Sequence, residues 1–97
     1  MLNSADLPEA GTFDVIVCGS GCAGVAAAIA ASRAGARTLV VERWGFSGGY
    51  ITAVYGPGLD GFVDLRTGRP IVGGIAAQFA RHAAGGPKDV LEGKFSP

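Results

Sequence analysis

A chain of 97 residues with eight Lys+Arg against eight Asp+Glu has room for one small domain or part of a larger one. Its neutral balance and 16% charged residues exclude the basic face on which nucleic-acid binding depends, and 48% apolar content excludes a disordered chain. Seventeen glycines, with neither a collagen period nor a Gly/Ser linker, point instead to local backbone roles in a folded domain.

Residues 1–12 are mixed in character, contain Pro8 and Gly11 and show no period, which predicts a flexible lead-in. The domain is expected over 13–97. It opens on Phe13-Asp14-Val15-Ile16-Val17-Cys18, a β-branched run bounded by glycine that reads as a strand buried on both faces, as in parallel sheets. From Cys22 to Ala34 the composition switches to alanine, with Val25 and Ile29 four apart, and Gly35 stands where a helix C′ residue belongs. Arg37-Thr38-Leu39-Val40-Val41-Glu42 is a second buried-strand pattern ending in an acid. Strand, helix and strand over 13–42 make an α/β, Rossmann-like βαβ unit with parallel strands and a right-handed crossover. The apolar window 13–31 is no leader or membrane span. Asp6, Glu9 and Asp14 stand where a leader carries positive charge, and Gly19, Ser20, Gly21 and Gly24 leave it short of the ~20 apolar residues a span requires.

Residues 43–72 read as a glycine-rich loop followed by a hairpin. Gly45, Gly48 and Gly49 mark the loop, 50–55 is too short to assign, and Gly56-Pro57-Gly58 is a break. The hairpin over 62–72 turns at Arg66-Thr67-Gly68, with Pro70 confining its second arm to an edge. A helix is expected over 74–84, with Ile75, Phe79 and Ala83 on one face and Gln78 and Arg81 elsewhere, ended by Gly85-Gly86-Pro87. The tail 85–97 is weakly patterned.

Chemistry gathers where the first strand becomes the helix. Gly19-Ser20-Gly21-Cys22-Ala23-Gly24 is G-x-G-x-x-G, a weak signal alone in so glycine-rich a chain but strong in that position. Gly19 permits a tight turn, Gly21 lets a pyrophosphate approach the backbone, and Gly24 lets the helix lie close on the sheet. The helix N-terminus adds free N–H groups and about half a positive charge. Glu42 ends the second strand about 20 positions on, where an acid accepts hydrogen bonds from both hydroxyls of an adenosine ribose and repels a 2′-phosphate. The expected ligand is a dinucleotide without that phosphate.

The run 14–24 with Glu42-Arg43 and Gly48-Gly49 resembles the N-terminus of FAD-dependent oxidoreductases of the glutathione-reductase-like fold. Ile71-Val72-Gly73-Gly74-Ile75-Ala76 ahead of a helix is similar to the family known simply as FAD-dependent oxidoreductases. The resemblance implies FAD as cofactor and an FAD-binding role for Gly19, Ser20, Gly21, Cys22, Ala23, Gly24, Glu42, Arg43, Gly48, Gly49 and Thr52. In such flavoproteins a glycine pair after the acid nears the cofactor, here Gly48-Gly49-Tyr50-Ile51-Thr52, with exposed amides and a hydroxyl for a phosphate oxygen. Phe46 before the pair and Tyr50 after it depart from the arginine-flanked pattern of amine-oxidase-like flavoproteins. A complete enzyme of this kind needs further strands and a substrate region, so the chain is expected to be an FAD-binding portion of a longer oxidoreductase, not catalytic alone. Two alternatives share these motifs: an NAD-binding module of a dehydrogenase and a non-catalytic nucleotide-binding domain.

Little else carries chemistry. Cys18 and Cys22 are too few for a disulfide scaffold, and the single His82 is too remote to complete a zinc site. Two reduced thiols fit a cytoplasmic protein and no metal. Cys22 reads as a small side chain facing the cofactor, His82 as a helix histidine, and Trp44, Tyr50 and Tyr55 as loop aromatics. No catalytic residue is visible. The expected partners are FAD and a small-molecule substrate or electron donor or acceptor, with no nucleic acid.

Overall fold

The computed structural model describes residues 3–54 and 61–83. Its centre is a pair of parallel strands, β1 (Val15–Cys18) and β2 (Thr38–Val41), joined by the helix α1 (Cys22–Arg33). The register sets Val15 against Thr38, Ile16 against Leu39, Val17 against Val40 and Cys18 against Val41. Outside the ladder, Asp14 fastens the open end: its N–H donates to the Arg37 carbonyl at 2.9 Å and its carboxylate accepts the Arg37 N–H at 2.8 Å.

Alternation puts Val15 and Val17 on one face of the pair and Ile16 and Cys18 on the other. α1 covers the first face, and Val15 and Val17 are half-buried beneath it. The second face is largely open among the described residues: Ile16 is 57% and Val41 51% exposed and Cys18 is exposed too, while Leu39 is half-buried. The expectation of strands buried on both faces is therefore corrected. β-branched runs report a preference for burial, and whether a layer covers both faces is a matter of tertiary contacts.

α1 begins without a side-chain cap, on the N-cap residue Gly21. Its other end closes through the residue the composition singled out. Gly35 takes φ +90°, its N–H donates to Ser32 O at 3.0 Å and the Ala36 N–H to Ala31 O at 3.1 Å. These two bonds form a Schellman motif, which satisfies carbonyls the helix end would leave free. Helix and strand approach closely at Gly24, where a Cβ would overlap the carbonyl oxygen of Gly19 and stand 3.4 Å from Val17 Cγ1. Only glycine lets α1 descend so far.

After β2 the chain forms one short helical turn, α2 (Tyr50–Ala53), and then the ten-residue helix α3 (Gly74–Ala83). α3 packs on α1, and Arg33 Nη1 donates to Gln78 Oε1 across the contact at 2.7 Å. The residues it buries are Ala77 and Ala80, at 5% and 0% exposure, while Phe79 remains 54% exposed. The Ile75–Phe79–Ala83 row is thus not the packed one. Because the surface α1 offers is rich in alanine, a small-residue face of α3 can come closer than a row containing phenylalanine.

Between the helices, 62–71 turns back on itself. Asp64 N–H donates to Arg69 O at 2.9 Å and Ile71 N–H to Phe62 O at 2.9 Å, with an antiparallel bridge between Val63 and Pro70. Pro70 donates nothing, and the pairing stays a single bridge. Near the N-terminus a 3-10 turn (Ser4–Asp6) is held by Asn3, whose side chain accepts the Ala5 N–H, so the lead-in carries local order that its composition does not announce. The expected break at 56–58, Tyr55, Ala84 and the tail 85–97 lie outside the described residues.

Gly24→Ala should lower stability by about 2–3 kcal/mol, since its Cβ meets backbone that cannot yield. Gly21→Ala, at φ −69° with nothing within 4 Å of the added carbon, should cost less than about 1 kcal/mol. Urea unfolding of the two variants measures the contrast.

Candidate functional site

The turn from β1 into α1 is built around Ser20. Gly19 leaves the strand at φ +97°, a conformation that favours glycine, while its N–H still pairs with Val41 O at 2.7 Å. This turns Ser20 inward until only 2% of it is exposed. Its N–H and its hydroxyl both donate to Glu42 Oε2, at 2.7 and 2.8 Å, and its carbonyl accepts the Gly48 N–H at 2.7 Å. One buried serine therefore ties together the loop after β1, the acid after β2 and the glycine pair beyond.

Glu42 is held from two sides. The Trp44 N–H donates to Oε1 at 2.9 Å, opposite the Ser20 pair on Oε2. Hydrogen bonds to the charged form, from Trp44 N–H first and then from Ser20, draw its pKa from 4.5 down to about 2. The carboxylate is ionised under all ordinary conditions and aimed at the loop.

Beside it lies the open end of α1. Helix geometry leaves the first N–H groups without intrahelical partners, no side chain caps them, and nothing lies within 4 Å of where a Gly21 side chain would start. Bare amides and the positive end of a helix dipole make a site for an anion. Gly49 packs next to it, where a Cβ would stand 3.0 Å from Gly21 Cα. An anion cradle, an ionised acid and a glycine pair thus meet within one loop cluster.

A protein-family model described as FAD dependent oxidoreductase matches residues 14–95. The chain belongs to this family. The family is FAD dependent, and the cofactor is accordingly FAD. No solved structure gives a significant match. The residues present suit such a cofactor on their own chemistry, because a side chain at Gly21 would fill the cradle and the ionised acid suits a sugar hydroxyl better than a phosphate.

Of the residues singled out in this FAD-dependent oxidoreductase sequence, Gly19, Ser20, Gly21, Cys22, Ala23, Gly24, Glu42, Gly48 and Gly49 come together. Several are engaged differently from the sequence expectation. The Gly48 N–H is taken by Ser20, so the pair does not present both amides outward. Thr52 donates its hydroxyl to Ser47 O at 2.7 Å, closing its own turn. Arg43 lies over the Trp44 ring, 4.8 Å from its centroid. The exposed Cys22 thiol donates to Gly48 O at 3.5 Å. Among the described residues no cluster of His, Cys, Asp and Glu could hold a metal, and no helix is long and apolar enough to cross a membrane.

Sequence reasoning missed the depth of Ser20's role and the part of Trp44. The first had a signal, a hydroxyl residue between two glycines at a strand end with an acid ending the next strand. The second had none, since the Trp44 contact is made by a backbone N–H.

A depressed carboxyl pKa contributes native-state stability that is complete above the unfolded value of 4.5 and lost as pH falls through about 2. Glu42→Gln should therefore be less stable than the parent chain at neutral pH, with the gap closing across that window. Paired urea titrations measure the gap, and carboxyl carbon shifts read the Glu42 midpoint directly.

Proposed function

We propose that this chain holds the ADP half of FAD in a flavin-dependent oxidoreductase. The observation that carries the reading is the ionised Glu42, clamped by Ser20 beside the uncapped end of α1. In this reading the diphosphate rests on the amides at Gly21–Gly24, where backbone donors and the helix dipole oppose its charge. The adenosine ribose meets Glu42, and the stacked Arg43 and Trp44 flank the adenosine end. Gly48, Gly49 and Thr52 form the wall leading toward the flavin.

FAD supplies the hydride or electron chemistry when bound, and the protein supplies placement and electrostatics. In this reading the described residues bind and orient the cofactor, and turnover requires a substrate region in addition to them. The substrate or electron partner is a small molecule. The free thiols of Cys18 and Cys22 accord with a cytoplasmic setting. An ionised carboxylate at the ribose repels a 2′-phosphate, so this site selects against an NADP-like ligand.

Titration of the ¹⁵N-labelled chain with ADP, followed by amide NMR, tests the proposal. ADP should shift the amides of residues 19–24. Glu42→Ala should weaken binding about tenfold, the loss expected for a hydrogen bond to a charged group. ADP bearing a 2′-phosphate should bind more weakly than ADP. Gly21→Ala should bind poorly while remaining folded. Unmoved loop amides would refute the assignment.

A further inference from the structure

We infer that the turn at residues 64–69 is a contact point for an anionic lipid surface, with Leu65 as the inserting side chain and Arg66 and Arg69 as the groups that meet lipid phosphates. The inference is independent of the ADP reading and of the loops that carry it.

The turn is fixed by its own backbone. The Asp64 N–H donates to Arg69 O at 2.9 Å and the Gly68 N–H to Asp64 O at 2.7 Å. The Asp64 carboxylate accepts the Arg66 N–H at 2.9 Å, and the Thr67 hydroxyl accepts the Arg69 N–H at 3.4 Å. Gly68 supplies the left-handed residue at φ +70°. None of these bonds involves Leu65, which is 97% exposed, the highest value among the described large apolar residues. A lone exposed leucine is ordinary on a protein surface; its neighbours make this one different. The Arg66 side chain is 90% exposed and that of Asp64 32%, and Arg69 is exposed as well. Arg66 Nε stands 3.9 Å from Asp64 Oδ1, beyond hydrogen-bond length, so the guanidinium is open to a second anion. Two arginines against one sheltered aspartate leave the tip with a positive excess. A convex tip of this kind suits a lipid interface, which takes in an apolar side chain without a preformed pocket and surrounds it with phosphates. A protein partner would need a pocket edged by acids. One leucine and two arginines make a weak, reversible contact.

Sedimentation of the full chain with vesicles is the test. Phosphatidylcholine vesicles containing about one third phosphatidylserine should bind it about tenfold more tightly than phosphatidylcholine alone, and ~0.5 M salt should remove the difference. Leu65→Ser should reduce binding to the mixed vesicles about tenfold while leaving urea unfolding unchanged, because so exposed a side chain adds little to the fold. Arg66→Gln combined with Arg69→Gln should abolish the preference for anionic lipid. A reporter at the tip, Leu65→Trp in a Trp44→Phe background, should move its emission to the blue on mixed vesicles. Equal binding to both kinds of vesicle, or undiminished binding by Leu65→Ser, would overturn the inference. So would absence of binding, an outcome that assigns the tip to a protein with an acid-edged pocket instead.

Discussion

The hydrogen bonds from Ser20 to Glu42 are the constraint on which the site depends. Each partner is placed by a different strand, so the bonds form only when β1 and β2 pair in the observed register. A shift by one residue would send the acid to the opposite face. The same serine accepts the Gly48 N–H, carrying the constraint into the segment that follows. Backbone donation from Trp44, together with the backbone and side-chain donors of Ser20, stabilises the charge of Glu42.

Two opposed fields result. The start of α1 presents free N–H groups and positive potential, and Glu42 presents a fixed negative charge. A ligand with an anionic diphosphate next to a neutral, hydroxylated sugar satisfies both at once; one with a second phosphate on that sugar does not. Selectivity for the ADP end of FAD would then arise from charge placement more than from contact area. The glycines serve this arrangement sterically. Gly24 brings the helix end down to the strand end, Gly21 leaves the amides bare, and Gly49 lets the following segment lie against Gly21.

The described residues bury few side chains fully, with Ala77 and Ala80 the apolar examples. Hydrophobic stabilisation scales with buried apolar area, so much of the cohesion of the βαβ unit rests on strand pairing, the Schellman closure at Gly35 and the polar clamp. Among the described residues, an exposed face carrying Ile16 and Val41 lies opposite the helix. The site is built at the carboxyl ends of the strands, where the crossover brings backbone donors and an acid together, and that face takes no part in it.

What could be read in advance follows from local physics. Alanine content and Gly35 define α1, β-branched runs define the strands, and the glycine spacing with a following acid marks the loop, because each depends on residues near in sequence. Glu42 and the G-x-G-x-x-G run were legible as partners since the βαβ crossover leaves little choice of where they meet. The packed face of α3 was not, because hydropathy favoured Phe79 while the contact with α1 favoured Ala77 and Ala80. Nor were the donors that hold Glu42. Ser20 reads in sequence as a cofactor-binding residue and not as a donor to Glu42, and the Trp44 N–H belongs to a backbone that sequence does not distinguish. Residue types alone determined that an acid and bare amides would stand at the carboxyl ends of two neighbouring strands; only tertiary contacts decided which donors hold that acid, since hydrogen bonding depends on distances set by the packed chain.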